Sequence, residues 1–154
     1  MTTNPLFSVI TITRNNLDGL RRTRSSLMTQ DCRDYEWIII DGASTDGTSE
    51  FLRTCPAIIV SEPDQGIYDA MNKGLDRAKG TYVLFMNAGD NFSSSATLSR
   101  IHNKMNGKQP DFMYGDALEM LQGGGLAYKK ARPYKGARQG MITHHQSMLY
   151  RRDL

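Results

Sequence analysis

Cysteine is scarce, with two in 154 residues. Cys32 and Cys55 lie far apart in no metal-ligand spacing, which argues against a disulfide framework or a zinc site and for two free thiols in a reducing compartment. No apolar run approaches the roughly 20 residues of a membrane span. The opening "MTTNPLFSVITITRNN" has no basic region leading into a long apolar stretch, so no secretory leader is expected and a cytoplasmic location is. A net charge of +3 is too small to argue for a nucleic-acid partner, and none is expected. Glycine is missing where a dinucleotide-binding turn would need it. After the first apolar run comes "TITRNNLDGL", with a single glycine in place of G-x-G-x-x-G. There is also no P-loop, internal repeat or low-complexity linker.

What remains has the composition of an ordinary soluble globular domain, 39% hydrophobic and 23% charged. A chain of this length buries roughly 70% of its unfolded surface, so one domain over 1–154 needs no staple. Apolar β-rich runs alternate with helical patterns. "FSVITIT" (7–13), "WIIID" (37–41), "AIIV" (57–60) and "TYVLFM" (81–86) read as strands. "LDGLRRTRSSLMTQ" reads as a helix with Asn16 as N-cap and Leu17, Leu20, Leu27 and Met28 on one face. "TSEFLRT" is a short helix capped by Asp46 or Thr48. In "GIYDAMNKGLDRAKG" the stripe Ile67, Met71, Leu75 and Ala78 is expected to face inward, with Gly80 ending the helix as a C′ glycine. "SATLSRIHNKM" places Leu98, Ile101 and Met105 inward. Strand–helix–strand repetition with short, uniformly apolar strands predicts an α/β fold with a doubly wound, mostly parallel sheet. Beyond Asp111 the pattern changes. "DFMYGDALEML" and "LAYKKARPY" read as two strands around the glycine-rich "QGGG", and "MITHHQSMLYRR" as another strand with both histidines near its start.

Each parallel strand ends in polar residues: Thr13 to Asn16, Asp41, Glu62 with Asp64, and Asn87 to Asp90. Ligands of open parallel sheets bind outside the carboxyl ends of the strands. The fold would therefore gather these groups on one rim, where a carboxylate such as Asp41 could stay hydrated while its strand is buried. Such a rim suits N–H donors, hydroxyls and, through a metal, phosphates. The bland alternatives are local: Asp46 a helix cap, Asp64 a turn residue after Pro63, Asp90 an N-cap for the next helix.

Four stretches, "SVITITRNN", "IIIDGASTDGT", "GIYDAMNKGLDRAKGTYVLFMNAGD" and "HHQSMLYRRD", together resemble the family 2 glycosyltransferases of the GT-A fold, most of all those of bacterial surface-polysaccharide assembly. The resemblance covers residues 7–154. It implies a nucleotide-sugar-transferase fold, with a donor half at 7–91 and a partial antiparallel acceptor-side region at 111–154. The activity implied is inverting sugar transfer from a UDP- or GDP-linked donor to a glycan or lipid-linked acceptor, aided by Mg²⁺ or Mn²⁺. Carried over by position, Thr11, Thr13, Asn15, Asp41 and Asp64 would bind the nucleotide, Asn87 the donor sugar, and Asp90 the metal. Gly42 stands where the family often has a second acid, and "NAGD" keeps only the last acid of the metal motif. His144 and His145 are weak candidates for the catalytic group, with Asp116 a further suspect and Asp153 a poor one. The expected base lies beyond Leu154, which would make this the donor half of a longer enzyme, prone to self-association through uncovered apolar surface. Lys129, Lys130, Arg132, Lys135 and Arg138 form a basic run that is either a solvated loop or a contact for diphosphate or for the inner face of the cell membrane. The rival reading is a non-catalytic nucleotide-sugar-binding module of the same fold.

Overall fold

The computed structural model describes residues 4–135 and 141–154; Arg138 of the basic run lies outside them. The described chain begins with strict alternation: β1 (Phe7–Thr13), α1 (Leu17–Met28), β2 (Tyr35–Asp41), α2 (Thr48–Leu52), β3 (Ile58–Ser61), α3 (Ile67–Arg77), β4 (Tyr82–Phe85) and α4 (Thr97–Met105). Then come β5 (Phe112–Tyr114), β6 (Ala117–Met120), β7 (Leu126–Lys129), a 3-10 turn at His145–Ser147, and β8 (Met148–Arg151).

Six strands form one sheet in the order β3-β2-β1-β4-β8-β5. The first four strands run parallel, and β8 enters antiparallel between β4 and β5. Burial on both faces explains why β2 is apolar at consecutive positions. Trp37 and Ile39 join Phe7, Val9, Leu20, Leu27, Leu84 and Leu98 on the side of α1, α2 and α4. Ile38 and Ile40 join Ile10, Val83, Ala70 and Ala78 on the side of α3. Each such side chain contributes about 1.5–3 kcal/mol on burial. The expected doubly wound, mostly parallel sheet is therefore present.

Four local expectations are corrected. Helix α3 buries Ala70 and Gly74, whereas Ile67 and Leu75 are exposed. A close helix–sheet approach selects small residues here: a Cβ on Gly74 would lie 2.4 Å from Ile10 Cγ2. Gly80 does not end α3 in a left-handed cap, because the cap is extended Ala78. Its role is steric, since a Cβ there would lie 2.6 Å from the backbone nitrogen of Ser8. The histidines lie outside the strand: His144 precedes the 3-10 turn and His145 starts it. The segment after Asp111 also divides differently. β5 joins the main sheet through β8, and only β6 pairs with β7, around a turn in which Gly123 and Gly124 take φ of 103° and 93°.

Candidate donor site at the strand ends

The parallel register lines up three strand ends side by side, with Thr13 opposite Asp41 and Asp41 opposite Ser61. Asp41 is fully buried rather than hydrated. Its carboxylate accepts from the Ser44 backbone N–H at 3.2 Å, from the Ser44 hydroxyl, and from the Ser61 hydroxyl at 2.6 Å. The Ser44 hydroxyl in turn accepts from the Asn15 N–H at 2.7 Å, and Asn15 Oδ1 accepts from the Thr45 N–H at 2.8 Å. Asn15 is exposed and left-handed, with φ of 49°. Asp41 thus ties three strand ends together from below.

Thr11 sits deeper than expected. It is fully buried and its hydroxyl accepts from Trp37 Nε1 at 2.9 Å, so it belongs to the floor beneath the rim. Thr13 is nearly as buried, but its hydroxyl has no partner. Asp64 holds a tight turn by accepting from the Gly66 N–H at 3.0 Å. Its other carboxylate oxygen fills the space beside Gly42, where a Cβ would lie 2.4 Å from Asp64 Oδ2.

The Asn87–Asp90 stretch folds into a turn closed at both ends. Asp90 donates its N–H to the Asn87 carbonyl at 2.9 Å and accepts the Asn87 N–H on Oδ2 at 2.8 Å. It is no helix cap, since α4 begins at Thr97 after Ala96. Buried Thr23 of α1 braces the turn, accepting from the Gly89 N–H at 2.9 Å and donating to the Asp90 carbonyl at 2.8 Å. Asn16 caps α1 as expected and also donates to the Ala88 carbonyl at 2.9 Å. Burial pushes the Asp90 carboxyl above its ordinary value, while Gln146, the Asn87 N–H and the imidazoles of His145 and His144 draw it back. His145 Nε2 lies 3.3 Å from Asn87 Nδ2. The loop after β4 and the turn before β8 therefore meet.

Three buried side-chain atoms among the described residues lack any hydrogen-bond partner: Thr13 Oγ1, Asn87 Oδ1 and Gln146 Oε1. They flank the neighbouring strands β1, β4 and β8 at the same end of the sheet. Leaving such groups unpaired costs about 1–3 kcal/mol each. They lie at the same end of the sheet as the Asp41 rim. The sequence carries no signal for Thr23, whose partners lie 66 and 67 positions away, or for the bond of Ser61 to Asp41 across 20 positions, whereas Ser44 bonds Asp41 only three residues back. Gln146 was visible only as part of "THHQ".

Residues 8–153 match the family model described as Glycosyl transferase family 2. The chain belongs to this family. A glycosyltransferase of Mycobacterium tuberculosis named for PGL/p-HBAD biosynthesis is 37% identical over 121 residues, covering 74% of this chain and 47% of the relative. An uncharacterized glycosyltransferase of the same species is 40% identical over 128 residues, covering 80% and 49%. A putative teichuronic acid biosynthesis glycosyltransferase of Bacillus subtilis, TuaG, is 38% identical over 92 residues, covering 56% and 36%. The chain thus spans about half the length, or less, of these relatives. Among solved structures, Staphylococcus aureus TarS 1–349 in complex with UDP-GlcNAc superposes with a TM-score of 0.76 at 21% identity, covering 95% of this chain and 45% of that one. The mannosyltransferase PcManGT of Pyrobaculum calidifontis, in complex with GDP-Man and Mn²⁺, gives 0.69 at 22% identity, covering 99% and 46%. The fold of this glycosyltransferase family 2 chain is GT-A.

Proposed function

We propose that this chain binds a nucleotide-diphosphate sugar at the rim built by residues 7–91 and belongs to an inverting glycosyltransferase of bacterial surface-polysaccharide synthesis. The observation that carries the reading is the trio of unpaired buried oxygens at the ends of β1, β4 and β8. In this reading Thr13 and Asn15 line the nucleoside pocket, Thr11 and Asp41 support it from below, and Asp64 contacts the base beside Gly42. Asn87 takes a donor-sugar hydroxyl.

The donors also suit a hard cation. Asp90 and the unpaired Asn87 and Gln146 oxygens are oxygen ligands, and Mg²⁺ or Mn²⁺ needs only one or two carboxylates when diphosphate and water complete the shell. No group of three His, Cys, Asp or Glu side chains converges among the described residues; Asp90 would be the chief protein ligand because it is the carboxylate of the turn that carries Asn87. A bound cation would neutralise charge developing on the leaving diphosphate. The Thr23 brace would hold the Asp90 backbone in place for that contact.

In the transfer, an acceptor hydroxyl oxygen bonds to the anomeric carbon as the bond to the diphosphate oxygen breaks, and its proton passes to a base. Two later acids are already engaged. Asp116 accepts from the Tyr128 hydroxyl and from the Ala131 N–H at 2.8 Å, and Asp153 pairs with Arg151 at 2.6 Å. That engagement favours a second reading, a donor-binding module whose base comes from elsewhere.

Calorimetry with UDP and GDP, with and without Mn²⁺, tests the proposal. Binding tightened by Mn²⁺ is expected, and Asp90→Asn should remove the tightening while leaving nucleoside affinity nearly intact. Equal tightening by Mn²⁺ in the variant would remove Asp90 from the metal site. Sugar transfer measured on the same preparation separates the enzyme from the binding module.

A further inference from the structure

The β6–β7 hairpin pairs with no other strand of the described chain. Its register sets Leu118 opposite Tyr128 and Met120 opposite Leu126. Alternation puts these four on one face and Ala117, Glu119, Ala127 and Lys129 on the other. The apolar face is open: Leu118 is 52% exposed, Met120 75%, Leu126 64% and Tyr128 63%. Leu121 continues it into the turn, and exposed Tyr134 and Met141 follow in the next segment. A contiguous apolar patch of this kind marks an interaction surface rather than scattered exposure.

Charge at the foot of the hairpin identifies the occupant. Lys129, Lys130, Arg132 and Lys135 are all exposed. Both acids of the hairpin are engaged, Glu119 with Lys129 at 3.0 Å and Asp116 with Tyr128 and Ala131. Arg132 is held beside the apolar Met141–Ile142 segment, donating its N–H to the Ile142 carbonyl at 2.8 Å and its guanidinium to the Met141 carbonyl. An apolar tip above a basic collar matches a bilayer surface, where acyl chains lie beneath anionic phosphates. A second copy fits poorly, because both acids of the hairpin are already engaged and it would bring no free carboxylate of the hairpin to the basic collar.

We propose that the β6–β7 hairpin docks this chain onto an anionic lipid surface. Met120, Leu121 and Leu126 enter the headgroup boundary, and Lys130, Arg132 and Lys135 meet the phosphates. The hairpin foot is stitched to the candidate site. The Gly115 N–H donates to the Ser147 carbonyl at 3.0 Å, the Thr143 hydroxyl to the Gly115 carbonyl at 2.8 Å, and the Ser147 hydroxyl to the Asp116 carbonyl at 3.2 Å. Docking therefore holds the turn that carries His145 and Gln146 close to the bilayer. Its use in presenting a lipid-linked acceptor rests on the glycosyl-transfer reading; the docking itself does not.

Vesicle flotation tests it, using phosphatidylcholine alone or mixed with phosphatidylglycerol. The chain should float with the anionic vesicles and not with the neutral ones. Lys130→Glu should weaken that binding at least about fivefold, given the contribution of one basic residue near such a surface. The paired change Met120→Ser with Leu126→Ser should weaken it at least about tenfold, while Tyr68→Ser, at an exposed aromatic on α3, should leave it unchanged. Emission from buried Trp37 checks that each variant is folded. No flotation, equal flotation on neutral vesicles, or a lipid-free dimer that the serine pair dissociates would each overturn the proposal. Nucleotide titration on the same preparation keeps the two readings apart, since lost nucleotide binding with retained flotation counts against the donor site alone.

Discussion

Asp41 shows how a buried strand-end carboxylate can hold a rim together. Its two oxygens hold Ser44 and Ser61, so Asp41→Ala leaves two hydroxyls and one N–H without their acceptor. Each unsatisfied group costs about 1–3 kcal/mol, so chemical unfolding followed by Trp37 emission should show a clear loss of stability. Nucleotide affinity should fall along with it, roughly ten- to a hundredfold, because Asn15 and Ser44 are positioned through this acid. Ser61→Ala should cost stability and spare affinity. An Asp41→Ala variant that keeps full nucleotide affinity would leave the acid only its structural role. Gly42 makes the opposite case. A methyl group there meets the far end of the Asp64 side chain and, at 3.2 Å, Cδ of the exposed Arg14 side chain, and both can swing away at little cost in stability. Gly42→Ala should therefore leave the unfolding midpoint nearly unchanged while weakening nucleotide binding about tenfold or more, in line with the strength of a bond to a charged acceptor. Unchanged affinity would remove Asp64 from the base pocket.

At the scale of elements, Asp46 bolts two helices together. It accepts from the Thr48 N–H at 3.2 Å and from its hydroxyl at 2.5 Å, at the start of α2, and from the Leu17 N–H at 3.0 Å, at the start of α1. The Thr48 hydroxyl and then the Leu17 N–H hold its pKa below the ordinary 3.8. The folded state therefore binds fewer protons than the unfolded chain between those two values. The stabilisation is present above the ordinary value and disappears as pH falls through the depressed one. Asp46→Asn should flatten the acid limb of the stability–pH curve. A limb of unchanged slope would show that other carboxylates control it. Strand and helix order was legible in the chain because 37–40 and 82–85 are unbroken apolar runs, β1 is rich in β-branched residues, and the helical segments between them repeat at three and four. The face of α3 was not. Ile67 and Leu75 make the stronger stripe on paper, but Gly74 permits a closer approach to Ile10 and Ile40, and packing distance overrode hydrophobicity. The rim was legible as polar residues following apolar runs. Its bracing was not, because Thr23 reaches Gly89 and Asp90 across 66 and 67 positions of sequence.

For the molecule as a whole, packing is uneven. The parallel strands share two core faces, whereas the β6–β7 hairpin stands alone with exposed side chains. Isolated two-stranded ribbons are marginal in water. Hydrogen exchange should therefore protect β1, β2 and β4 most and β6 and β7 least, with anionic vesicles slowing exchange in the hairpin alone. Uniform protection across both sheets would contradict this ranking.

Strand β8 has a further consequence, for the order in which the chain can fold as it leaves the ribosome. β1 to β4 are complete once residue 85 has emerged and can pair among themselves, but the outer edge of β4 waits for β8. β5, finished at residue 114, pairs only with β8, whose first residue is Met148. A nascent chain thus carries an unpaired β4 edge and an orphan β5 through the synthesis of more than thirty residues, which include the sticky hairpin. Exposed edges of this kind are where aggregation begins, so chaperone demand should peak while residues 115–147 are being made and fall as Leu149 and Tyr150 close the gap.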